Sequence, residues 1–467
     1  MSKEQAGQAR SGSARSPQLT VEREAAILVG GYRPGDLAPG EEPLEELGRL
    51  AETAGARVVG KVTQHIREIT PGTYIGSGKA QEVRDLARRL GVRCVIFDHD
   101  LTPAQGRNLD QRIGVKVVDR TDLILDIFAS RARTRTAKVQ VNLALFEYRL
   151  PRLRRLWTHL EKQEGGIGMR GGAGERQLET DRRMLSKQIR DLRSELADIQ
   201  ARKERQVRAR VGEHFLISLV GYTNAGKSTL MHALTGEDVA INNQLFVTLD
   251  TRTARLRMGN GLTALLSDTV GFIRRLPHHL VASFHATLEE ARAAELLLHV
   301  VDVSSPLARE QMAAVHQVLS DIGCAGKPVL PVFNKIDRLR PEQDLELRLL
   351  QREYTQAVPI SALRRQGLEE LKDRLLERAR DGALPVSLSA FVGDGRAMSF
   401  LATHFFEDSR EVNGQWITFH GRATRPVLER LRAFGPSIRF GPPSGGPGPG
   451  AQDYQPVPAT DQHWREA

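Results

Sequence analysis

The residues from Gly221 to Ser228 have the types and spacing of a phosphate-binding loop, with two glycines separated by four residues and followed by lysine and serine. The apolar run Phe215–Val220 precedes the loop and predicts a buried strand, and a predicted helix follows from Thr229. In this order, backbone N–H groups of the loop and of the helix N-terminus converge on phosphate oxygens. Lys227 supplies a cation at the β- and γ-phosphates, and Ser228 offers a hydroxyl to Mg²⁺.

Two further segments complete a hydrolytic site. Asp268 and Gly271 form an Asp-x-x-Gly motif at the end of a predicted strand. The aspartate can hold Mg²⁺ through water, and the glycine N–H can sense the γ-phosphate. Thr248 lies between the two motifs, where a switch threonine would close on the metal and the γ-phosphate. We therefore predict Lys227, Thr248 and Gly271 as catalytic residues, and Ser228, Thr248 and Asp268 as Mg²⁺ ligands, the last through water.

The motif Asn334-Lys335-Ile336-Asp337 indicates which nucleotide base the site binds. The Asp337 carboxylate can accept hydrogen bonds from guanine N1–H and from its exocyclic amine, whereas adenine has no donors there. Asn334 is expected to brace the loops and the stem of Lys335 to lie over the base, while Ser361-Ala362 contacts guanine O6. The motifs therefore predict GTP and GDP as ligands. The predicted nucleotide-binding residues are Gly221, Tyr222, Thr223, Asn224, Ala225, Gly226, Lys227, Ser228, Thr229, Phe246, Val247, Thr248, Asp268, Thr269, Val270, Gly271, Asn334, Lys335, Asp337, Ser361, Ala362 and Leu363.

Two positions bear on the mechanism. Phe272 follows Gly271, where many Ras-like GTPases carry a glutamine that orients the attacking water. Phenylalanine cannot hydrogen-bond water, so slow intrinsic hydrolysis is expected. Asn224 has two interpretations: a ligand for K⁺, which would supply charge in the transition state, or an asparagine that favours a turn.

Alternating strands and helices position these motifs. The predicted fold class is α/β: an N-terminal parallel α/β subdomain, a long antiparallel helical hairpin, a P-loop GTPase domain and a small C-terminal βαβα unit. A glycine-rich turn, Thr73–Lys79, precedes a helix. This turn either cradles a phosphate or only supplies Ser77 as the cap of the helix. The predicted domains are 21–136, 137–211, 212–380 and 381–440, with a linker at 381–385 and disordered tails at 1–20 and 441–467.

The hairpin carries the second set of candidate functional residues. Two apolar stripes of helical period run from Val139 to Leu160 and from Leu178 to Ile199, and Pro151 should kink the first. Between them, Gly165–Gly174 is too glycine-rich for a helix and predicts a mobile loop with Arg170 near its tip. Basic residues outnumber acidic ones between Arg131 and Lys162. This pattern indicates either an RNA probe or a solvated helix pair with a flexible connector.

Length and composition indicate the general class of protein. The chain has 467 residues, a net charge of +10 and only two cysteines. The charge favours an anionic partner such as nucleic acid. No apolar run is long enough to span a bilayer, and the N-terminus does not read as a secretory signal. We expect a cytoplasmic monomer, with peripheral membrane association as an alternative.

The chain resembles the HflX family of ribosome-associated GTPases over about Glu22 to Phe440. The resemblance rests on TYIGSGK at Thr73–Lys79, DRTDLILDIFASRARTR at Asp119–Arg135, LPRLRRLWTH at Leu150–His159 and GERQLETDRR at Gly174–Arg183. It implies binding to the large ribosomal subunit, with the glycine-rich loop reaching toward the peptidyl transferase centre. It also implies splitting of stalled or idle ribosomes under stress, notably heat. Some members are credited with ATP hydrolysis by the N-terminal domain.

The predicted ribosomal RNA contacts are Arg152, Arg154, Arg155 and Arg170. One departure concerns the loop, where many members read Arg-Gly-Pro-Gly-Glu and this chain has one more residue and no proline. Other classes of function are a GTP-dependent RNA-remodelling or ribosome-assembly factor, and a protein-binding regulatory switch.

Overall fold

The computed structural model describes residues 24–37, 41–153, 172–211, 214–237, 245–246, 251–259, 262–274 and 285–441. These residues form two compact units. The first takes the described residues up to Val211, together with those in 215–256 and 264–371, and the second consists chiefly of 372–441. No helix of the described residues is long and apolar enough to cross a membrane.

The first unit begins with a four-stranded parallel sheet in the order β2-β1-β3-β4. Ile27, Val29, Val95 and Phe97 are buried between this sheet and the helices that connect its strands. The predicted parallel α/β subdomain is confirmed. Its elements are β1 (Ala25–Tyr32), α1 (Glu45–Thr53), β2 (Arg57–His65), α2 (Ser77–Leu90), β3 (Cys94–Phe97), α3 (Pro103–Ile113) and β4 (Lys116–Val118).

Two local predictions in this subdomain need correction. Helix α2 is capped at its N-terminus by Gly76, whose N–H donates to Gln64 Oε1 at 3.1 Å, so Ser77 is not the cap. The sequence also gave no sign of helix α4 (Arg120–Arg131). Five consecutive or nearly consecutive apolar residues between Leu123 and Phe128 are all buried, so the helix lacks the one-sided stripe by which an amphipathic helix is recognised.

Two helices, α5 (Arg135–Arg149) and α6 (Gly172–Val211), then pack side by side. Val139 and Leu143 contact Ile189 and Leu196, which confirms the pairing of the two apolar stripes. Pro151 lies in a short 3-10 turn at Leu150–Arg152 that ends α5. Residues 172–174 belong to α6 and not to the predicted loop; the first helical N–H groups have no intrahelical partner, so glycine is tolerated there. The remainder of the predicted loop, 165–171, lies outside the described residues.

The nucleotide domain is built on a six-stranded sheet in the order β10-β9-β8-β5-β7-β6. Strand β5 is parallel to β7 and β8, and β9 is parallel to β8 and β10. The carboxyl ends of these strands therefore lie at one edge, where α/β sheets bind ligands. The elements are β5 (Phe215–Gly221), α7 (Lys227–Thr235), β6 (Arg252–Gly259), β7 (Leu262–Asp268), α8 (His285–Ala293), β8 (Leu296–Asp302), α9 (Ala308–Asp321), β9 (Val329–Asn334), α10 (Asp344–Glu353), β10 (Val358–Pro359) and α11 (Leu368–Asp381).

The second unit is an antiparallel sheet in the order β12-β13-β11-β14, with the β-α-β-β-α-β connectivity of a ferredoxin-like fold. All four elements of the predicted βαβα unit are present, but two strands were missed. One of them, β12, is an edge strand whose residues after Phe406 are all exposed, so it shows no apolar alternation. The predicted linker 381–385 is shorter, since Leu384 and Pro385 begin a strand. The elements are β11 (Leu384–Phe391), α12 (Gly395–His404), β12 (Phe406–Asn413), β13 (Trp416–Ala423), α13 (Arg425–Ala433) and β14 (Ile438–Gly441).

Candidate functional site

The phosphate loop joins the end of β5 to the start of α7. Gly221 has φ +151°, and a Cβ there would lie 2.3 Å from the carbonyl oxygen of Val300 on the neighbouring strand. Gly226 has φ +97°, and a Cβ there would lie 2.3 Å from Asn334 Nδ2. Both glycines are therefore required by close approach as well as by backbone conformation.

Lys227 is buried at the centre of the loop. Its Nζ donates to the carbonyl oxygens of Gly221 and Tyr222, each at 3.0 Å. Burial lowers the pKa of Lys227 to about 8, Asp268 opposes that shift, and Lys335 adds to it. The ammonium group is thus held under the loop, on the side where phosphate oxygens would lie, and gains most from an anionic ligand.

The two metal-binding candidates that the structure describes lie together. Ser228 Oγ donates to Asp268 Oδ2 at 2.6 Å, and Asp268 is fully buried. Thr269 Oγ1 donates to the carbonyl of Leu219 at 2.6 Å and fixes the start of the Asp-x-x-Gly motif. A hydroxyl and a carboxylate are oxygen donors of the kind that Mg²⁺ prefers, so this pair fits the metal. The third predicted ligand, Thr248, and its neighbour Val247 lie outside the described residues.

Gly271 lies directly against the loop. A Cβ at this position would be 2.7 Å from Thr223 Cα and 3.0 Å from Lys227 Nζ. Only glycine fits there, and its backbone lies beside the cation expected at the γ-phosphate. The side chain of Phe272 points into the core and is only 2% exposed, so it does not reach solvent at the site.

The base-recognition motifs meet around Asn334. Its Nδ2 donates to the carbonyl of Ala225 at 2.8 Å, and its Oδ1 accepts the N–H of Ala362 at 3.0 Å. The side chain thereby ties the phosphate loop to the segment Ser361–Leu363, as the sequence predicted for a bracing residue. Ser361 Oγ donates to Asp337 Oδ1 at 2.6 Å, which orients that carboxylate.

Lys335 has a partner that the motif did not reveal. Its Nζ lies 2.6 Å from Asp302 Oδ2, and the residue has φ +68°. Asp302 ends strand β8 and so lies at the same sheet edge as the motifs. The position of Asp302 directly after an apolar run is the sequence signal that could have placed it at this edge. The ion pair anchors the Lys335 stem that was predicted to cover the base.

Asn224 has φ +60°, a left-handed conformation that asparagine adopts more readily than most residues. The backbone alone accounts for this residue type, and its binding of K⁺ remains a prediction. Beside it opens a groove of about 610 Å³, lined by Tyr222, Thr223 and Lys335 on one side and by acidic residues of α1 on the other. Its volume is in the range of small-ligand sites.

The structure corrects one predicted RNA contact. The guanidinium of Arg152 donates to the carbonyls of Leu101 at 2.6 Å and Tyr148 at 3.1 Å, and stacks 3.7 Å from the Tyr148 ring centroid. It also lies 3.6 Å from the buried Asp119 carboxylate, and only 14% of its side chain is exposed. Arg152 is therefore committed to the interior of the fold. Arg154, Arg155 and Arg170 lie outside the described residues.

The site combines three features: a phosphate loop, an Asp-x-x-Gly segment beside Lys227, and a guanine-binding motif that is hydrogen-bonded to the loop. Together these features define the class of P-loop GTPases. Family models agree: one described as the N-terminal region of GTP-binding GTPases matches residues 41–129, their middle region matches 131–210, and a model described as a 50S ribosome-binding GTPase matches 216–335. GTPase HflX of Magnetococcus marinus is 44% identical over 76% of this chain and 81% of its own. GTPase HflX of Escherichia coli K12 is 40% identical over 86% of this chain and 93% of its own.

The chain belongs to the HflX family and is a GTPase, an enzyme that hydrolyses GTP. Among solved structures, a GTP-binding protein of Sulfolobus solfataricus in complex with GDP aligns at 26% identity over 76% of this chain and 98% of its own, with a TM-score of 0.40.

Proposed function

We propose that this GTPase binds the large ribosomal subunit and splits stalled or idle ribosomes, especially under stress such as heat, with hydrolysis stimulated by the ribosome. The site of action is the cytoplasm, where ribosomes are found. The observation that carries the proposal is the joining of the nucleotide site, the N-terminal sheet and the hairpin in one compact unit, in a chain whose G domain matches a ribosome-binding model.

In this proposal, Lys227 and the loop N–H groups bind the phosphates of GTP, and Gly271 senses the γ-phosphate. Asp337 pairs with guanine, Asn334 braces the loops, and Ser361 orients Asp337. Ser228 would hold Mg²⁺, and Asp268 would hold it through water; the bound metal would neutralise charge at the transferring phosphate. Thr248 would join them on closure. No side chain at position 272 can orient the attacking water, because phenylalanine occupies it and is buried.

The hairpin supplies the ribosome contact. Basic residues outnumber acidic ones between Arg131 and Lys162. Ion pairs join the two helices: Arg135 of α5 pairs with Glu195 at 2.8 Å, and Arg193 of α6 pairs with Glu147 at 2.7 Å. The contacts with rRNA are therefore assigned to Arg154, Arg155 and Arg170 around the glycine-rich loop. Phosphate contacts of this kind release counterions and make binding salt-dependent.

Co-sedimentation tests the proposal. With a non-hydrolysable GTP analogue, the protein should pellet with large subunits, and with GTP it should convert intact ribosomes to subunits in a sucrose gradient. Deletion of residues 165–171 should abolish splitting while leaving GTP binding intact, since that segment is expected to contact RNA. Binding to subunits without any splitting activity would favour the alternative, a GTP-dependent RNA-remodelling or assembly factor. Absence of binding would overturn both.

A further inference from the structure

The phosphate loop carries a tyrosine whose hydroxyl is bonded to the N-terminal sheet domain. Tyr222 Oη donates to the Glu46 carboxylate on helix α1 of the N-terminal sheet domain and accepts the backbone N–H of Arg274 at 2.8 Å. Burial raises the pKa of Tyr222 well above its ordinary value, and the Glu46 charge adds to the shift. Burial therefore favours the protonated phenol, which is the form that donates to Glu46.

The segment Gly271–Arg274 is bonded to the phosphate loop. The N–H of Phe272 donates to the Gly221 carbonyl at 3.1 Å, and the Phe272 carbonyl accepts the N–H of Thr223 at 2.7 Å. These two bonds hold the middle of the segment. The Tyr222 hydroxyl holds its end, so the placement of Gly271 against Lys227 depends on all three contacts.

The N-terminal domain holds the same segment from the other side. Arg120, only 4% exposed, binds Glu46 through one guanidinium nitrogen and Asp98 at 2.8 Å through the other. The nitrogen that binds Glu46 also donates to the Arg274 carbonyl at 3.1 Å. Both backbone polar groups of Arg274 are thus bonded to a network that is rooted in the N-terminal sheet.

The opposite flank of the site shows a second set of contacts with the same domain. The N–H of Leu245 donates to Thr53 Oγ1 at 3.4 Å, and the Phe246 ring meets Phe128 edge-on at a centroid distance of 4.7 Å. Phe246 has φ +56°, an unusual conformation for an aromatic residue that only a well-determined environment maintains. The N-terminal domain therefore contacts described residues on both the Leu245–Phe246 side and the Arg274 side of the phosphate loop.

We propose that Tyr222 is a positioning residue for GTP hydrolysis: its hydroxyl, held by Glu46, fixes the segment Gly271–Arg274 on the phosphate loop, and through it the N-terminal domain sets the geometry of the catalytic backbone. The proposal rests on the nucleotide site described under Proposed function. The backbone of the phosphate loop can bind the phosphates without this hydroxyl. We therefore expect the hydroxyl to affect the rate of hydrolysis and not the affinity for nucleotide.

Tyr222→Phe in the full-length chain tests this role. Intrinsic kcat should fall about tenfold, as expected when a preorganised group near the transferring phosphate gains freedom. The KM for GTP and the Kd for GDP should stay within about twofold, because the ground-state contacts remain. Thermal unfolding with and without GDP establishes that each variant is folded.

Tyr32→Phe is the matched control. It also removes a buried hydroxyl that donates to a carboxylate of this network, Asp98 Oδ2 at 2.9 Å, but Tyr32 is not part of the phosphate loop. Its kcat should fall by less than that of Tyr222→Phe, because Tyr32 reaches Arg274 only through Asp98 and Arg120. Glu46→Gln keeps an acceptor for Tyr222 and should lose less activity than Glu46→Ala, and Tyr222→Phe combined with Glu46→Ala should lose no more than the worse single variant.

Unchanged or increased kcat for Tyr222→Phe, an equal loss for Tyr32→Phe, or additive losses in the double variant would overturn the proposal. Its failure is separable from failure of the nucleotide site. If Lys227→Ala abolishes hydrolysis while Tyr222→Phe does not change it, the site stands and only the positioning role is lost. If Lys227→Ala retains hydrolysis, the nucleotide site itself is misassigned.

Discussion

The first unit contains two parallel sheets, and the carboxyl edges of their strands differ sharply. At the edge of the nucleotide sheet, polar side chains brace backbone loops and leave a groove of about 610 Å³. At the edge of the N-terminal sheet, Tyr32, Asp98 and Arg120 are bonded to one another, and the cavity they line measures about 20 Å³. That is space for about one water molecule.

The difference teaches that the position of polar residues at strand ends does not by itself make a ligand site. In the nucleotide sheet, Lys227 and Asn334 bond to main-chain groups of the loops, so a buried cation remains beside the phosphate loop. In the N-terminal sheet the charges neutralise one another. In this arrangement the cavity beside Asp98 and Arg120 is too small for a nucleotide, and ATP hydrolysis by the N-terminal domain remains a prediction.

The largest expected effect is the loss of GTP hydrolysis when residues at the edge of the nucleotide sheet are replaced. Lys227→Ala removes the cation at the β- and γ-phosphates, and Ser228→Ala removes a Mg²⁺ ligand, so each should lower kcat by about 100-fold or more. Phosphate release measured at saturating GTP and Mg²⁺ checks this, with thermal unfolding as the test of folding. Normal turnover by both variants would show that the open edge is not the active site.

Base recognition supplies the next effect. Asp337→Asn should weaken GTP binding by about 100-fold, since the new amide N–H groups face guanine donors. Xanthosine triphosphate should bind better than GTP, because its C2 oxygen can accept from that amide. Competition against a fluorescent GDP analogue measures both affinities. Equal GTP affinity in the variant and the parent would remove Asp337 from the base pocket.

At the closed edge, the expected effect is on stability. Arg152→Ala should lower the free energy of unfolding by about 2–3 kcal/mol, because it strips a buried guanidinium from Asp119 and from two carbonyls. Arg135→Ala is the control: its side chain is 84% exposed in its pair with Glu195, so its cost should be under about 0.5 kcal/mol. Denaturant unfolding gives both values.

The same variant tests the corrected RNA assignment. Arg152→Ala should leave GTP affinity and the salt dependence of ribosome binding unchanged, since Arg152 bonds within the fold. A weaker dependence of ribosome binding on salt concentration in this variant would show that Arg152 does contact RNA phosphates.

The smallest expected effect concerns pH. Burial, assisted by the nearby Asp122 charge, raises the pKa of Asp126 to about 7 from an ordinary value of 3.8. The folded chain therefore keeps this proton between about pH 4 and 7 while the unfolded chain loses it, so stability falls as pH rises through that window. Asp126→Asn should be about 1 kcal/mol or more stabilising at pH 8 and nearly neutral at pH 4. Equal effects at the two pH values would contradict a raised pKa.

Much of the site could be predicted because its motifs are local. The residues 221–228, 268–271 and 334–337 carry their chemistry in short runs, and each run follows an apolar strand that places it at one edge. Partners from distant parts of the chain could not be predicted: Asp302 for Lys335, and Glu46 for Tyr222 across 176 positions. Helix α4 and strand β12 were missed for opposite reasons, since the helix is buried on nearly all sides and the strand is almost wholly exposed.

The amino-acid sequence by itself determined the chemistry: a phosphate loop, a guanine-type motif, a parallel α/β order of elements and the helical pair. Those features depend on residue type and on spacing along the chain, which folding does not alter. Only the tertiary structure decided how each charge is used. It directed Arg152 into the interior instead of toward RNA, closed one sheet edge with ion pairs, and left the other open, because burial and the choice of partner depend on which distant segments meet.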